Sequence, residues 1–310
     1  MNVQSVWLRC ALLTLAFALP SRTLAEPFWL PVRGGITMGI SGMALLKQED
    51  QKLELLVVHD NKKSNQPRLG IVSFRDRQAP DYQTVDWATD TALPEDLESL
   101  TAVPGSSTFM AMTSKGQITH FELQPDRKSI RVLKTFNLPT LPPDVNLEGL
   151  VLQQSIERPN GQYIIVWAHR GESLEKPALI YWGLLNLSNY QIQIQGSMPF
   201  SVPYPINKVR PISDLNLDES GTLYVASAED NGDDGPFASA IYVAGTIRFD
   251  PQKQSLSFVK NSRPAVLQRY LFHKVEALEL IPGAQGGIIV GTDDERMGSA
   301  IAGEFDLSLK

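Results

Sequence analysis

The chain has 310 residues, a single cysteine and a formal net charge of −6 at pH 7, and these properties exclude several classes of protein. An acidic protein repels nucleic-acid backbones and anionic lipid surfaces, so we expect no nucleic-acid partner and no membrane insertion. Because Cys10 has no second cysteine to pair with, the hydrophobic core must stabilise the fold without a disulfide.

The first 25 residues have the features of a secretory signal peptide. Arg9 supplies a positive charge, residues 11–20 are an apolar run, and Thr23-Leu24-Ala25 fits the small-x-small pattern that signal peptidase cleaves. The run is far shorter than the roughly 20 residues of a membrane span. We therefore predict a signal peptide over residues 1–25 and one mature domain over residues 26–310. After cleavage near Ala25, the protein would be periplasmic or secreted.

The mature sequence consists of short runs rich in Val, Ile, Leu, Tyr and Trp, separated by clusters of Gly, Pro, Asn and Asp. This pattern is typical of many short strands joined by turns. Five runs begin with a shared motif: an apolar residue, a small or acidic residue, a small residue or Asp, and an apolar residue. In chain order the copies are Ile40-Ser41-Gly42-Met43, Leu97-Glu98-Ser99-Leu100, Leu147-Glu148-Gly149-Leu150, Ile212-Ser213-Asp214-Leu215 and Val275-Glu276-Ala277-Leu278.

The motif recurs at intervals of roughly 50 to 65 residues, which is the length of a four-stranded propeller blade with a long loop. The last interval has only three strand-like runs, Val275–Ile281, Gly287–Gly291 and Ser299–Leu307, which would leave an unpaired edge. Phe28–Arg33 has no blade of its own. We therefore predict an all-β, five-bladed β-propeller whose last blade is closed by this N-terminal strand. Six blades, with extra strands in Asn261–Lys274, and an irregular β-sandwich stay open as alternatives.

In a propeller the inner strands line a central channel, and the loops after the second strands open at one mouth. The polar loops of this chain therefore gather at that mouth. The predicted ligand-binding residues there are His169, Arg170, Asp230, Asp233, Asp294, Glu295 and Arg296.

Three repeats have a glutamate at their second position, near the start of an inner strand: Glu98, Glu148 and Glu276. Like charges around a narrow channel raise one another's pKa values. A bound cation, a basic neighbour such as Arg210 or protonation would relieve the repulsion, and calcium accepts six to eight oxygen ligands with loose geometry. We predict a calcium site at these three glutamates. Hydrogen bonds from neighbouring backbone N–H groups and water are the open alternative.

The motifs resemble a known group of proteins. Trp167-Ala168-His169-Arg170-Gly171, residues 230–237 and Thr292-Asp293-Asp294-Glu295, together with the repeats, resemble an uncharacterised family of bacterial β-propellers with Glu-Gly-Leu type motifs. More distantly, the repeats resemble phytase-like and esterase-like propellers. This resemblance implies a propeller fold and a calcium-dependent hydrolase of ester or phosphoester substrates. The chain departs from the six-bladed phytases in its count of five repeats, two of which have Ser in place of Glu.

From these observations we predict an exported, monomeric propeller that binds a small-molecule ligand or a partner protein at its acidic mouth, without turnover. The first alternative is the calcium-dependent phytase-like or esterase-like hydrolase. The second is an inverting glycosidase, which needs two carboxyl groups about 6.5–9.5 Å apart. Zinc-protease, nucleophile-elbow and phosphate-loop motifs are absent from the sequence.

Overall fold

The computed structural model describes residues 27–49, 52–75, 78–139, 141, 144–154, 162–172, 176–250, 252–253, 255–283 and 287–303. These residues form twenty β-strands and two short 3-10 turns, Ile36–Met38 and Glu295–Met297, which confirms the all-β prediction. The predicted signal peptide lies outside the described residues. In the described part of the chain, no helix is long and apolar enough to cross a membrane.

The strands form five four-stranded antiparallel sheets. The first contains β2 (Gly42–Glu49), β3 (Lys52–Val58), β4 (Leu69–Arg75) and β5 (Asp81–Val85). The second contains β6 (Leu97–Ala102), β7 (Thr108–Thr113), β8 (Gln117–Leu123) and β9 (Ile130–Asn137). The third contains β10 (Leu147–Gln154), β11 (Gln162–His169), β12 (Ala178–Asn186) and β13 (Gln191–Phe200). The fourth contains β14 (Val209–Leu217), β15 (Thr222–Glu229), β16 (Ala238–Asp250) and β17 (Ser255–Leu271).

The fifth sheet closes the ring as predicted. It contains β1 (Leu30–Arg33), β18 (Val275–Ile281), β19 (Gly287–Thr292) and β20 (Ser299–Gly303), in the order β1-β20-β19-β18. Strand β1 pairs antiparallel with β20, with Leu30 opposite Ile301. The five-bladed prediction is confirmed, and the six-bladed alternative is wrong. Residues 261–271 simply extend β17, the outer strand of the fourth blade.

The repeated motif is explained by the packing of adjacent inner strands. Its first residue is buried in all five blades, as for Leu97 and Leu147. Its third residue must be small because the next inner strand is very close. A Cβ atom on Gly42 would lie 2.8 Å from the backbone nitrogen of Leu100. Where the third residue is Asp214, its carboxylate accepts a 2.7 Å hydrogen bond from the N–H of Leu278 in the next blade.

Candidate functional site

The three glutamates of the repeats each occupy a β-bulge. In the pairing of inner and second strands, the register skips Glu98 between Leu97 and Ser99, and it skips Glu148 and Glu276 in the same way. A bulge leaves one residue out of the ladder and re-aims its side chain. The bulges place all three glutamates, which are at least nine-tenths buried, at the start of their inner strands.

Arg210 is the centre of a charge network that joins two of these glutamates to a loop aspartate. Its Nη1 atom lies 2.8 Å from Oε1 of Glu276 and 3.8 Å from Oε1 of Glu148. Its Nε and Nη2 atoms donate hydrogen bonds of 3.1 Å and 2.8 Å to Oδ2 of Asp230. Arg170 adds a second cation, with its Nη1 atom 3.4 Å from Oε1 of Glu148. Of the predicted residues, the structure therefore brings Arg170, Asp230, Glu148 and Glu276 together.

The carboxyl groups of Glu148 and Asp230 differ in their affinity for a proton. Burial raises the pKa of Glu148 to about 7; Arg210 and Arg170 oppose this effect, and Glu276 adds to it. Partial burial also disfavours the charge of Asp230, but the charge and hydrogen bonds of Arg210 outweigh it, so its pKa is lowered. Near neutral pH, one carboxyl group can hold a proton while the other is ionised.

Lys274 contacts several acidic side chains in the neighbouring part of the mouth. Its side chain is fully buried, with Nζ 3.0 Å from Oε1 of Glu276 and in direct contact with Glu295. Asp293 lies 3.9 Å away, and burial followed by repulsion from Glu276 raises its pKa. The predicted site residue Asp294 accepts hydrogen bonds from the Lys274 N–H and the Thr292 hydroxyl. It holds the loop in place.

Other predicted residues lie at the edge of the mouth. Arg296 is exposed and pairs with Asp233 at 3.5 Å and Asp234 at 3.1 Å. The Nδ1 atom of His169 lies 2.7 Å from the carbonyl oxygen of Asn146. These side chains form the rim, and among the described residues no ion pair joins them to the network of Arg210.

Glu98 has different neighbours from the other two glutamates. Its carboxylate, with those of Asp60 and Asp96, forms a group whose oxygens lie within 4.8 Å of one another. Burial raises the pKa of Asp60 to about 6, with added repulsion from Glu276 and Asp96. The three glutamates predicted as calcium ligands therefore have two kinds of surroundings. Glu148 and Glu276 contact cationic side chains, whereas Glu98 lies beside two aspartates.

Four residues of this site were not predicted from the sequence as site residues: Asp60, Asp96, Lys274 and Asp293. Asp96 and Lys274 each immediately precede a repeat motif, and Asp60 and Asp293 follow the second strands of their blades. Both positions belong to loops that open at the mouth. Position relative to the repeat was therefore the signal that could have identified them.

A cavity of about 290 Å³ opens beside Arg210. It is lined by Arg170, Gly171, Glu172, Lys208, Val209, Arg210 and Asp230. The side chain of Asp230 is 38% exposed, whereas that of Glu148 is only 2% exposed. A molecule in this cavity would therefore contact Asp230 and the two arginines directly, with Glu148 behind them.

Several solved structures are similar to this one in fold. A fructofuranosidase from Schwanniomyces occidentalis in complex with fructosylnystose has 10% identity and a TM-score of 0.50, over 89% of this chain and 58% of that one. An α-L-arabinofuranosidase from Podospora anserina in complex with cellotriose has 8% identity and a TM-score of 0.49, over 91% and 98% of the two chains. A GH32 β-fructofuranosidase from Bombyx mori in complex with sucrose has 12% identity and a TM-score of 0.44, over 87% and 61%. This chain thus spans less than two thirds of the two fructofuranosidases, and at these identities the likeness shows the fold alone.

No family model and no curated protein matches the chain, so the resemblance to an uncharacterised bacterial family is not confirmed. What is shown is the fold, a five-bladed propeller. The structure that reaches a TM-score of 0.50 is a fructofuranosidase in complex with fructosylnystose, and this finding contradicts the predicted function. The expected ligand- or partner-binding propeller without turnover is wrong, and so is its alternative, the calcium-dependent phytase-like or esterase-like hydrolase. Export, the monomeric state and the signal peptide stay predictions.

Proposed function

We propose that this protein is a glycoside hydrolase that cleaves a glycosidic bond at the channel mouth. The observation that carries the proposal is the contact of Arg210 with two carboxyl groups, Glu148 and Asp230, whose pKa values are shifted in opposite directions. Glycosidases need one carboxylic acid and one carboxylate on either side of the scissile bond. The similar fold of the Schwanniomyces fructofuranosidase supports the proposal.

Each carboxyl group has a role that suits its ionisation. Glu148, with a pKa of about 7, lies behind Arg170 and Arg210 and would pass its proton through one water molecule to the glycosidic oxygen as that bond breaks. Asp230, which is ionised and lines the cavity, would accept a proton from the water molecule that attacks the anomeric carbon. Glu276 does not touch the substrate in this scheme; it is a positioning residue that holds Nη1 of Arg210 at 2.8 Å.

The position of Arg210 favours inversion of the anomeric centre. Glu148 contacts Nη1, whereas Asp230 contacts the edge formed by Nε and Nη2. Because a guanidinium group separates the two carboxyl groups, we expect the wider spacing of inverting enzymes, about 6.5–9.5 Å, rather than the about 5–5.5 Å of retaining ones. The first-formed anomer, followed by proton NMR, tests this expectation.

The proposal is tested with a panel of sugar substrates. The panel contains aryl α-L-arabinofuranosides, aryl β-galactosides, sucrose and arabinan, and the readout is the release of aryl alcohol or reducing sugar. We expect the wild-type protein to hydrolyse at least one of them. Glu148→Gln and Asp230→Asn each remove one proton-transfer group with little change in shape, and each should lower kcat by about 100-fold or more.

Asp234→Asn is the matched control, because Asp234 lies at the same mouth but is highly exposed and pairs with the rim residue Arg296. Its activity should equal that of the wild-type protein. Thermal melts of all three variants separate loss of chemistry from loss of fold. A folded wild-type protein that releases no sugar from any substrate would contradict the proposal, and so would a Glu148→Gln variant with full activity.

A further inference from the structure

The two sides of the channel mouth differ in how their negative charges are balanced. On one side, the fully or largely buried cations Lys274 and Arg210 contact Glu148, Glu276 and Asp230. On the other side lie Asp60, Asp96 and Glu98. Among the described residues, the cation that contacts this second group is Lys62, whose Nζ lies 2.9 Å from Asp96 and whose side chain is 65% exposed.

Glu98 is the member of this acidic group whose negative charge is least compensated by nearby positive charge. It is only 9% exposed, and no hydrogen bond or ion pair joins its carboxylate to another residue in the described part of the chain. One of its oxygens nevertheless lies within 4.8 Å of oxygens of both Asp60 and Asp96, so its side chain is directed into the group. A buried carboxyl group without a partner is costly to the fold, which indicates that a ligand belongs there.

We propose that Asp60, Asp96 and Glu98 form a binding site for Ca²⁺ at the channel mouth. Calcium binds oxygen ligands at 2.3–2.6 Å, so two oxygens on one ion lie up to about 5 Å apart, and the oxygens of this group lie within that limit of one another. Magnesium, at 2.0–2.1 Å, requires a tighter set of oxygens. Water and nearby carbonyl oxygens would complete the coordination.

This site differs from the calcium site predicted from the sequence, since it keeps only Glu98 of the three glutamates. Glu148 and Glu276 have Arg210 as a counter-charge and need no ion. The site shares no ligand with the proposed acid and base. Its test measures binding rather than turnover and therefore stands or falls apart from the glycosidase proposal.

Lys62 provides a discriminating variant. Its ammonium group holds Oδ1 of Asp96 and would have to yield to an incoming ion. Because the Lys62 side chain is mostly exposed, Lys62→Met should leave the fold intact and raise the affinity for Ca²⁺. A purely structural role for the acidic group would not produce this gain.

The experiment is isothermal titration of the chelator-treated protein with CaCl2, paired with thermal melts in CaCl2 and in EDTA. We expect one Ca²⁺ per chain, a higher Tm with calcium, and weaker binding of MgCl2. Glu98→Gln should weaken Ca²⁺ binding at least tenfold, and Lys62→Met should strengthen it several-fold. The exposed Asp234→Asn variant is the control and should bind as the wild-type protein does.

Asp96→Asn serves as the second ligand variant if Glu98→Gln does not fold, with the same expected loss. Two results would overturn the proposal. One is the absence of both a binding isotherm and a Tm shift for the wild-type protein at millimolar CaCl2. The other is Ca²⁺ binding that neither ligand variant weakens.

Discussion

Replacement of Arg210 by methionine tests the charge network most severely. The Arg210 side chain is 15% exposed and contacts Glu276, Glu148 and Asp230, and the first two carboxyl groups are almost fully buried. Removing one partner of a buried ion pair costs about 3–5 kcal/mol, because the remaining charge is left without compensation. Since Lys274 still contacts Glu276 at 3.0 Å, we expect a loss near the lower end, about 3 kcal/mol.

The assay is urea denaturation at pH 8, where carboxyl groups are most fully ionised, followed by intrinsic fluorescence. Arg296→Met is the matched control, because this arginine also has two carboxylate partners but its side chain is 64% exposed. An exposed pair contributes about 0–1 kcal/mol, so the control should change little. Glu276→Gln in the Arg210→Met background should recover part of the loss. Equal, small effects of Arg210→Met and Arg296→Met would refute the reasoning.

Further predictions concern the same network and the closure of the ring. The pKa of Glu148 is about 7 in the folded protein and 4.5 for a free side chain. Between these two pH values the folded state retains a proton that the unfolded state loses, so the free energy of unfolding falls as the pH rises from 4.5 to about 7. Glu148→Gln should therefore lose less stability than the wild-type protein between pH 4.5 and 7.5, measured as urea midpoints. Gly42→Val should lower the free energy of unfolding by about 1–3 kcal/mol or more, because a Cβ atom at this position has no room. A Cβ atom on Gly34 would meet no atom within 4 Å, so Gly34→Ala should leave the urea midpoint unchanged. Val32→Asp, which would put a charge at the one buried residue of β1 and among the apolar residues packed against it, should lower Tm strongly and increase protease sensitivity. Wild-type stability in Val32→Asp would show that the closing strand contributes nothing.

The architecture could be predicted from the sequence because the inner-strand motif has a physical cause. Adjacent inner strands leave room only for a small third residue, and the first residue is buried, so packing imposes the same pattern five times. Ring closure was also predictable, since three strands at the C-terminal end leave an edge that Leu30–Arg33 can pair with. Strand ends were harder to predict: β17 extends to Leu271, through most of Asn261–Lys274, the stretch in which the sequence left room for extra strands.

The partners of the glutamates could not be predicted in the same way. The repeat indicated that Glu98, Glu148 and Glu276 lie at one mouth. It did not indicate that their neighbouring side chains differ. Their environments differ because the residue before each motif differs: Asp96 adds negative charge beside Glu98, and Lys274 adds positive charge beside Glu276. The contact between Arg210 and Glu276 joins residues far apart in the chain and depends on the rotation between two blades. Sequence spacing carries no information on that angle.

The ionisation of Glu148 is the property on which the proposed chemistry depends, and NMR can measure it directly. Protein labelled with ¹³C at the glutamate side-chain carboxyl carbons is titrated from pH 4 to pH 9, and the Glu148→Gln variant assigns the resonance. We predict that one resonance titrates near pH 7 and is missing from the variant. If the resonance lost in Glu148→Gln titrates below about pH 5, as an ordinary glutamate does, Glu148 is ionised at neutral pH and cannot be the acid.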